Sequence, residues 1–505
     1  MNTVTTSAQL GPTFRVVPVI SHRRPRRREW PMSKAFAAAV LGMGIQTLVT
    51  TGLVSSPLAA GALALCSILN PLTLIFALFA TLSWFSVEAL QTVRVASGTN
   101  AVDLLFFVCC AVLFIRLFLP GRYALPVRSL LQDEVTRLLL LMAVFGTVSL
   151  LFGLYKGFIL RSVLRDYRFF IFTPVFYVYV RAARLSMSEM RLMTVGLFVV
   201  AAVQTILIMT GTLSLSSAAG GQEGYPVFQR YGAEVGVQTE LHWLPVWWSF
   251  PLLVCASLLL TARSAMSRLA VMTLCAVAIV SVMILMLTYA RGLMISTMVG
   301  FVTIFFLNPY GLRRQRFRTV ALAALVLLGA VYGAGQLLAS TGSRGSIIQS
   351  LVSRYGVASL TEGDRTPAAD YALREAVSRP VLGLGLGSPY EQLVYKGKLI
   401  HTGGGESGWI WMATRVGFGG LTILLVVVLV TWRRGLSTLR SLRAQGPLAV
   451  GLALGLLGCF MSLLATATAS TMFLNWGASP ILGIWLGHIG QLYYLSRSNT
   501  IAARR

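Results

Sequence analysis

Pro380-Val-Leu-Gly-Leu-Gly-Leu-Gly-Ser388 leads through a polar stretch holding His401 to Glu406-Ser-Gly-Trp-Ile-Trp-Met-Ala-Thr-Arg-Val-Gly-Phe-Gly-Gly420, and that runs straight into Leu421-Thr-Ile-Leu-Leu-Val-Val-Val-Leu-Val-Thr431. From 407 to 431 the chain is apolar and closes on Trp432-Arg-Arg434, the length and punctuation of a membrane-crossing helix, for which roughly 20 apolar residues suffice. The residues before it are the opposite in character. A long loop that gathers glycines, a histidine, a glutamate and an arginine beside a membrane surface is where chemistry is to be sought in a chain this apolar.

Working outward, the 505 residues are 56% hydrophobic and 11% charged, with a mean hydropathy of +0.75, values that no soluble domain of this size shows. Apolar segments recur near 35–53, 55–70, 72–90, 101–119, 137–155, 169–180, 192–212, 243–262, 269–289, 293–308, 319–338, 407–431, 446–468 and 472–495. The expectation is an all-α polytopic integral membrane protein with about 12 to 14 transmembrane helices. Residues 156–168, rich in arginine and amphipathic, read as an interfacial stretch.

The net charge of +26 is distributed as short basic stops between spans: Arg181, Arg184 and Arg191; Arg263 and Arg268; Arg313, Arg314, Arg316 and Arg318; Arg433, Arg434, Arg440 and Arg443; Arg497, Arg504 and Arg505. Such stops mark cytoplasmic ends and place both termini in the cytoplasm. They do not form the continuous basic face with interleaved aromatics that nucleic acid requires, so no nucleic-acid partner is expected. The resulting division is a basic cytoplasmic tail (1–34), a transmembrane region (35–338), a long outward loop (339–406), C-terminal transmembrane helices (407–495) and a second cytoplasmic tail (496–505). Within the long loop, Thr366-Pro367 followed by good helix formers predicts a helix that ends before Pro380.

Cys66, Cys109, Cys110, Cys255, Cys275 and Cys459 all fall inside predicted spans, so no disulfide is expected. There is no CxxC, HExxH, phosphate-binding P-loop or DxD cluster, and His22, His242, His401 and His488 are far apart, which argues against a metal site or ordinary ATP binding. Glu362-Gly-Asp364 reads as a solvated turn. An enzyme acting on a phosphorylated donor would then rely on arginines. Arg230, Arg291, Arg365 and Arg415 are the outward candidates, and snorkelling or helix capping is the alternative for each. Trp243, Trp247, Trp248, Trp409 and Trp411 suit either an interfacial aromatic belt or stacking on sugar rings.

The order of these motifs resembles the O-antigen ligase and polymerase superfamily: Arg230 in a loop, Ala-Arg291-Gly at a span end, Arg365 opening the long-loop helix, Pro380 before Gly-x-Gly-x-Gly, and Gly417-x-x-Gly420 at the head of a helix. The resemblance covers roughly residues 225–425. It implies a GT-C-like, metal-independent, inverting glycosyltransferase of the bacterial inner membrane that polymerises undecaprenyl-pyrophosphate-linked oligosaccharide, with ligation to an acceptor as the alternative within the family. It implies no cofactor, membrane lipid as surroundings, and a chain-length regulator and a flippase as partners. By position Arg230 and Arg291 inherit the pyrophosphate role, and Arg365 and Arg415, which flank the long loop, are counted with them as pyrophosphate-binding candidates. The family's His-Asn motif falls at Glu406-Ser-Gly here, so the base is either Glu406 or His401. A transporter of lipid-linked oligosaccharide is the competing class, although no internal repeat is visible.

Overall fold

A computed structural model describes residues 32–50, 56–84, 101–120, 123–194, 244–287, 291–310, 365–388, 392–395, 398–401, 407–469 and 478–503. These residues are overwhelmingly helical: α1 Met32–Thr50, α2 Ser56–Leu69, α3 Leu72–Trp84, α4 Ala101–Phe118, α5 Val127–Leu131, α6 Glu134–Tyr155, α7 Leu160–Ala183, α8 Leu244–Ala262, α9 Arg268–Leu287, α10 Arg291–Leu307, α11 Arg365–Ser378, α12 Gly408–Leu442, α13 Pro447–Ala469 and α14 Ala478–Ala503. A further helical stretch covers residues 187–194. Gln392–Tyr395 (β1) and Lys398–His401 (β2) pair antiparallel, with Gln392 opposite His401.

Among the described residues, three helices are long and apolar enough to cross a membrane by length and composition: Glu134–Tyr155, Gly408–Gln445 and Pro447–Thr468. Shorter apolar helices at Phe36–Ile45, Pro57–Leu69, Ser249–Ala265, Arg268–Val282 and Leu293–Leu307 coincide with further segments expected from hydropathy. Their outer faces suit a bilayer. Leu140, Val144, Val148 and Leu151 form an exposed aliphatic stripe along α6, and Ile295, Met298, Val302 and Phe306 form another along α10. Water penalises such stripes; hydrocarbon accepts them, provided the backbone is hydrogen-bonded within its own helix.

Small residues set the packing. α13 lies against α8 and α10, and the contact is close because Gly451, Gly455 and Gly458 line it. A Cβ at Gly455 would stand 3.0 Å from Val254 Cα, and Ser257 Oγ donates to the Gly451 carbonyl at 2.7 Å. Likewise α14 presents Gly483 and Gly487 to Thr173 and Val180 of α7. Helices in a membrane gain little from the hydrophobic effect, so close backbone approach and dispersion hold them together.

At one end of this bundle Asp133 joins four helices. It caps α6 by accepting from Thr136 N–H at 3.1 Å, and also takes the Thr136 hydroxyl at 2.8 Å, the Tyr177 hydroxyl of α7, Arg434 Nη1 of α12 at 2.5 Å and the Tyr494 hydroxyl of α14 at 3.1 Å. Burial alone would raise this carboxyl. The Arg434 guanidinium and the Tyr177 hydroxyl outweigh it and hold Asp133 below the usual carboxylate range. Beside it Arg181 donates to Gln491 Oε1 at 3.0 Å and lies 4.0 Å from the centre of the Tyr494 ring.

The observed boundaries adjust several expectations. Residues 160–168 are not a separate interfacial stretch but the first turns of α7, continuous with the short span read at 169–180. α14 continues through Arg497 to Ala503, so most of the expected 496–505 tail is helical. The helix anticipated in the long loop is α11. All six cysteines are free. The tail at 1–31, the span at 319–338 and the Glu362-Gly-Asp364 turn lie outside the described residues.

Candidate functional site

Gly417 breaks α12. At φ 73°, ψ 179° it is far from helical, and a Cβ there would stand 2.4 Å from the Val381 carbonyl oxygen, so only glycine fits. A break of this kind orphans carbonyls one turn earlier, because the N–H groups that would reach them have moved away. The glycine-rich loop supplies the replacements. Leu384 N–H donates to the Thr414 carbonyl at 2.7 Å and Gly385 N–H to the Arg415 carbonyl at 3.1 Å, while Phe418 N–H turns to the Pro380 carbonyl at 2.7 Å.

The loop continues the same logic across two more helices. Gly383 N–H bonds the Arg379 carbonyl, Leu386 N–H reaches the Ser149 carbonyl of α6 at 3.4 Å, and Gly387 N–H donates to Asp166 Oδ2 of α7 at 2.9 Å. Thus every backbone N–H from Gly383 to Gly387 is engaged by the protein itself. The stretch is therefore a buried joint between α6, α7 and α12, and its N–H groups are not turned out to cradle a phosphate.

Asp166 and Arg415 close the joint. Asp166 is 1% exposed and Arg415 3%. Arg415 Nε stands 3.9 Å from Asp166 Oδ2, and Arg415 Nη1 donates to the Ser388 carbonyl. Ser149 Oγ donates to the Arg415 carbonyl at 3.3 Å, and Thr414 Oγ1 reaches Ala372 of α11. A buried aspartate thus holds both the guanidinium and the backbone of the loop.

Around this joint lies a basic rim. Lys156 ends α6, Arg161 and Arg165 stand on the first turns of α7, and Arg379 begins the loop; all four are exposed. Partial burial and the neighbouring Arg379 guanidinium push the Lys156 ammonium down from its usual value. Arg165 Nε lies 3.4 Å from Asp166 Oδ1, whereas Lys156, Arg161 and Arg379 make no ion pair among the described residues. Farther in, Arg168 binds Asp103 of α4 at 2.7 Å.

Of the residues singled out from sequence, Arg415 is joined to the loop that leads to His401. His401 closes β2, Arg291 opens α10 and Arg365 opens α11, and Arg230 and Glu406 lie outside the described residues. Trp411 is wholly buried, so neither an aromatic belt nor an open sugar platform describes it; Trp409 Nε1 donates to the Leu464 carbonyl. His488 is buried in α14, as its place in a span suggests. Among the described residues no three His, Cys, Asp or Glu side chains converge as a metal site. Asp166, Lys156 and Arg379 escaped the sequence reading. One signal was available: Asp166 is the lone acid in Arg161-Ser-Val-Leu-Arg-Asp-Tyr-Arg168.

Compared with known proteins, the chain matches no family profile and no curated protein.

Proposed function

We propose that this protein is a metal-independent, inverting glycosyltransferase of the O-antigen polymerase and ligase kind, with about 12 to 14 spans in a GT-C-like arrangement. Its substrate in this reading is undecaprenyl-pyrophosphate-linked oligosaccharide, which it polymerises at the outer face of a bacterial inner membrane. One observation carries the reading. The basic rim of Lys156, Arg161, Arg165 and Arg379 sits at the opposite end of α6, α7 and α12 from Arg181, Arg434 and Arg497, so basic stops that mark the cytoplasm leave the rim outside. Like charges gathered on the translocated side, against both topology and mutual repulsion, favour an anionic ligand.

The chemistry follows from the groups available. Arg230, Arg291 and Arg365, with the rim, neutralise the donor pyrophosphate, since guanidinium forks match phosphate oxygens and stay charged. Glu406 or His401 takes the proton of an acceptor hydroxyl. Its oxygen forms a bond to the donor anomeric carbon, the bond from that carbon to the phosphate oxygen breaks, and the lipid pyrophosphate departs. Arg415, deep in the joint, serves by holding the loop rather than by meeting the donor.

The test is reconstitution in liposomes with lipid-linked repeat units from the host, followed by sizing of the products. A ladder of multiples, lost in Arg291→Ala and in either Glu406→Gln or His401→Ala, is the expected result. Transfer only to an added acceptor would make the protein a ligase, and lipid-linked sugar crossing the bilayer without a covalent product would make it a transporter.

A further inference from the structure

Ser388 and Ser407, the described residues on either side of the stretch that carries the hairpin, are both held at α12. Ser407 is the N-cap of α12. Arg415, two turns further along the same helix, donates to the Ser388 carbonyl. The stretch is therefore anchored at both ends by α12, its start about 12 Å along the helix from its finish.

From Ser388 the chain needs four residues to reach Gln392, a tether of at most about 14 Å. Gln392 pairs with His401 across the hairpin, which sets their Cα atoms about 5 Å apart. Whatever fixes Ser388 thus limits where His401 can lie. Among the described residues two bonds fix it: Arg415 to Ser388 O, and Gly387 N–H to Asp166. Asp166 makes the second directly, and its carboxylate faces the Arg415 Nε of the first. An arginine this deeply buried needs a nearby carboxylate to stay in place.

We propose that Asp166 is a positioning residue, acting through Arg415 and Gly387 to fix Ser388, from which the chain runs on to the hairpin that ends at His401. It touches no substrate in this assignment. The role in catalysis rests on the function proposed above; the mechanical claim does not, and the two are tested separately.

Lys396 and Lys398 lie in the sequence at the hairpin turn and are trypsin sites. With the full-length protein in liposomes, Asp166→Asn is expected to speed cleavage there about tenfold, the scale set by losing one charge-assisted hydrogen bond. Asp166→Glu is expected to return most of the protection. Labelling of Cys459, wholly buried in α13, reports the fold and stays slow in both variants. If Asp166→Asn does not fold, Arg415→Lys replaces it, keeping the cation but losing the fork. Cleavage within twofold of wild type in the folded variant would overturn the clamp. In the polymerisation assay kcat is expected to fall with KM for the lipid-linked donor unchanged; a freed hairpin with unchanged kcat would overturn the positioning role. A wild type that transfers no sugar would sink the proposed function and leave the clamp to the cleavage rates.

Discussion

Asp133 and Asp166 are both buried and both face an arginine of α12, yet they are partnered in different ways. Asp133 is met almost wholly by side chains: Thr136, Tyr177, Arg434 and Tyr494, from four helices. Asp166 holds backbone, the Gly387 N–H, and an arginine that itself holds the Ser388 carbonyl. The first arrangement locks helices to one another. The second fastens a loop to helices that are already locked. A membrane bundle needs the former to specify which helices adjoin, because apolar contacts alone discriminate poorly among partners in lipid. The latter is needed only where a loop must be held in one place.

That contrast is open to experiment. Asp133→Ala should have the largest effect, because it leaves the Tyr177 hydroxyl without this acceptor and, among the described residues, Arg434 with only the exposed Glu134 carboxylate, 3.9 Å away; about 3–5 kcal/mol of stability is expected to go, read as a lowered midpoint of unfolding in detergent. The pH dependence has a definite sign. Asp133 is held below its ordinary value when folded, so its contribution is present above that ordinary value and fades as pH falls through the folded one. The variant should therefore lose part of the acid limb of the stability profile. An Asp133→Ala protein that melts like wild type but has a freely cleaved hairpin would erase the distinction between the two ends.

Gly417→Ala comes next. A side chain at φ 73° against the Val381 carbonyl should cost about 1–3 kcal/mol and, unlike Asp133→Ala, should raise hairpin cleavage by more than the drop in stability explains. Equal effects on both readouts would mean that the joint belongs to the core. Tyr494→Phe should be mildest, since Asp133 keeps its other partners: about 0.5–1.5 kcal/mol by the same melting measurement, with hairpin cleavage unchanged.

The helices α6, α12 and α13 were legible because hydropathy and length are local properties, and the helix of the long loop was legible from its Thr-Pro start and the break at Pro380. The joint was only half legible. Its glycines were conspicuous, and they pointed to a reactive loop; their N–H groups instead satisfy carbonyls that a helix break at Gly417 leaves without partners. Arg415 looked like a donor contact because an arginine at the head of a span suggests one, and burial against Asp166 gives it an internal role.

By itself the sequence determined that this chain is apolar enough for membrane helices, where most of those helices lie, and which ends carry the basic stops. Hydrophobic run length and charge need only neighbouring residues to be read. Only the tertiary structure decided that Asp166 holds Gly387, 221 residues away, and that Asp133 gathers side chains from four helices. Such pairings follow from which helix faces are packed together, and packing is settled by the fit of small residues and buried polar groups across the whole bundle, which no local stretch of sequence contains.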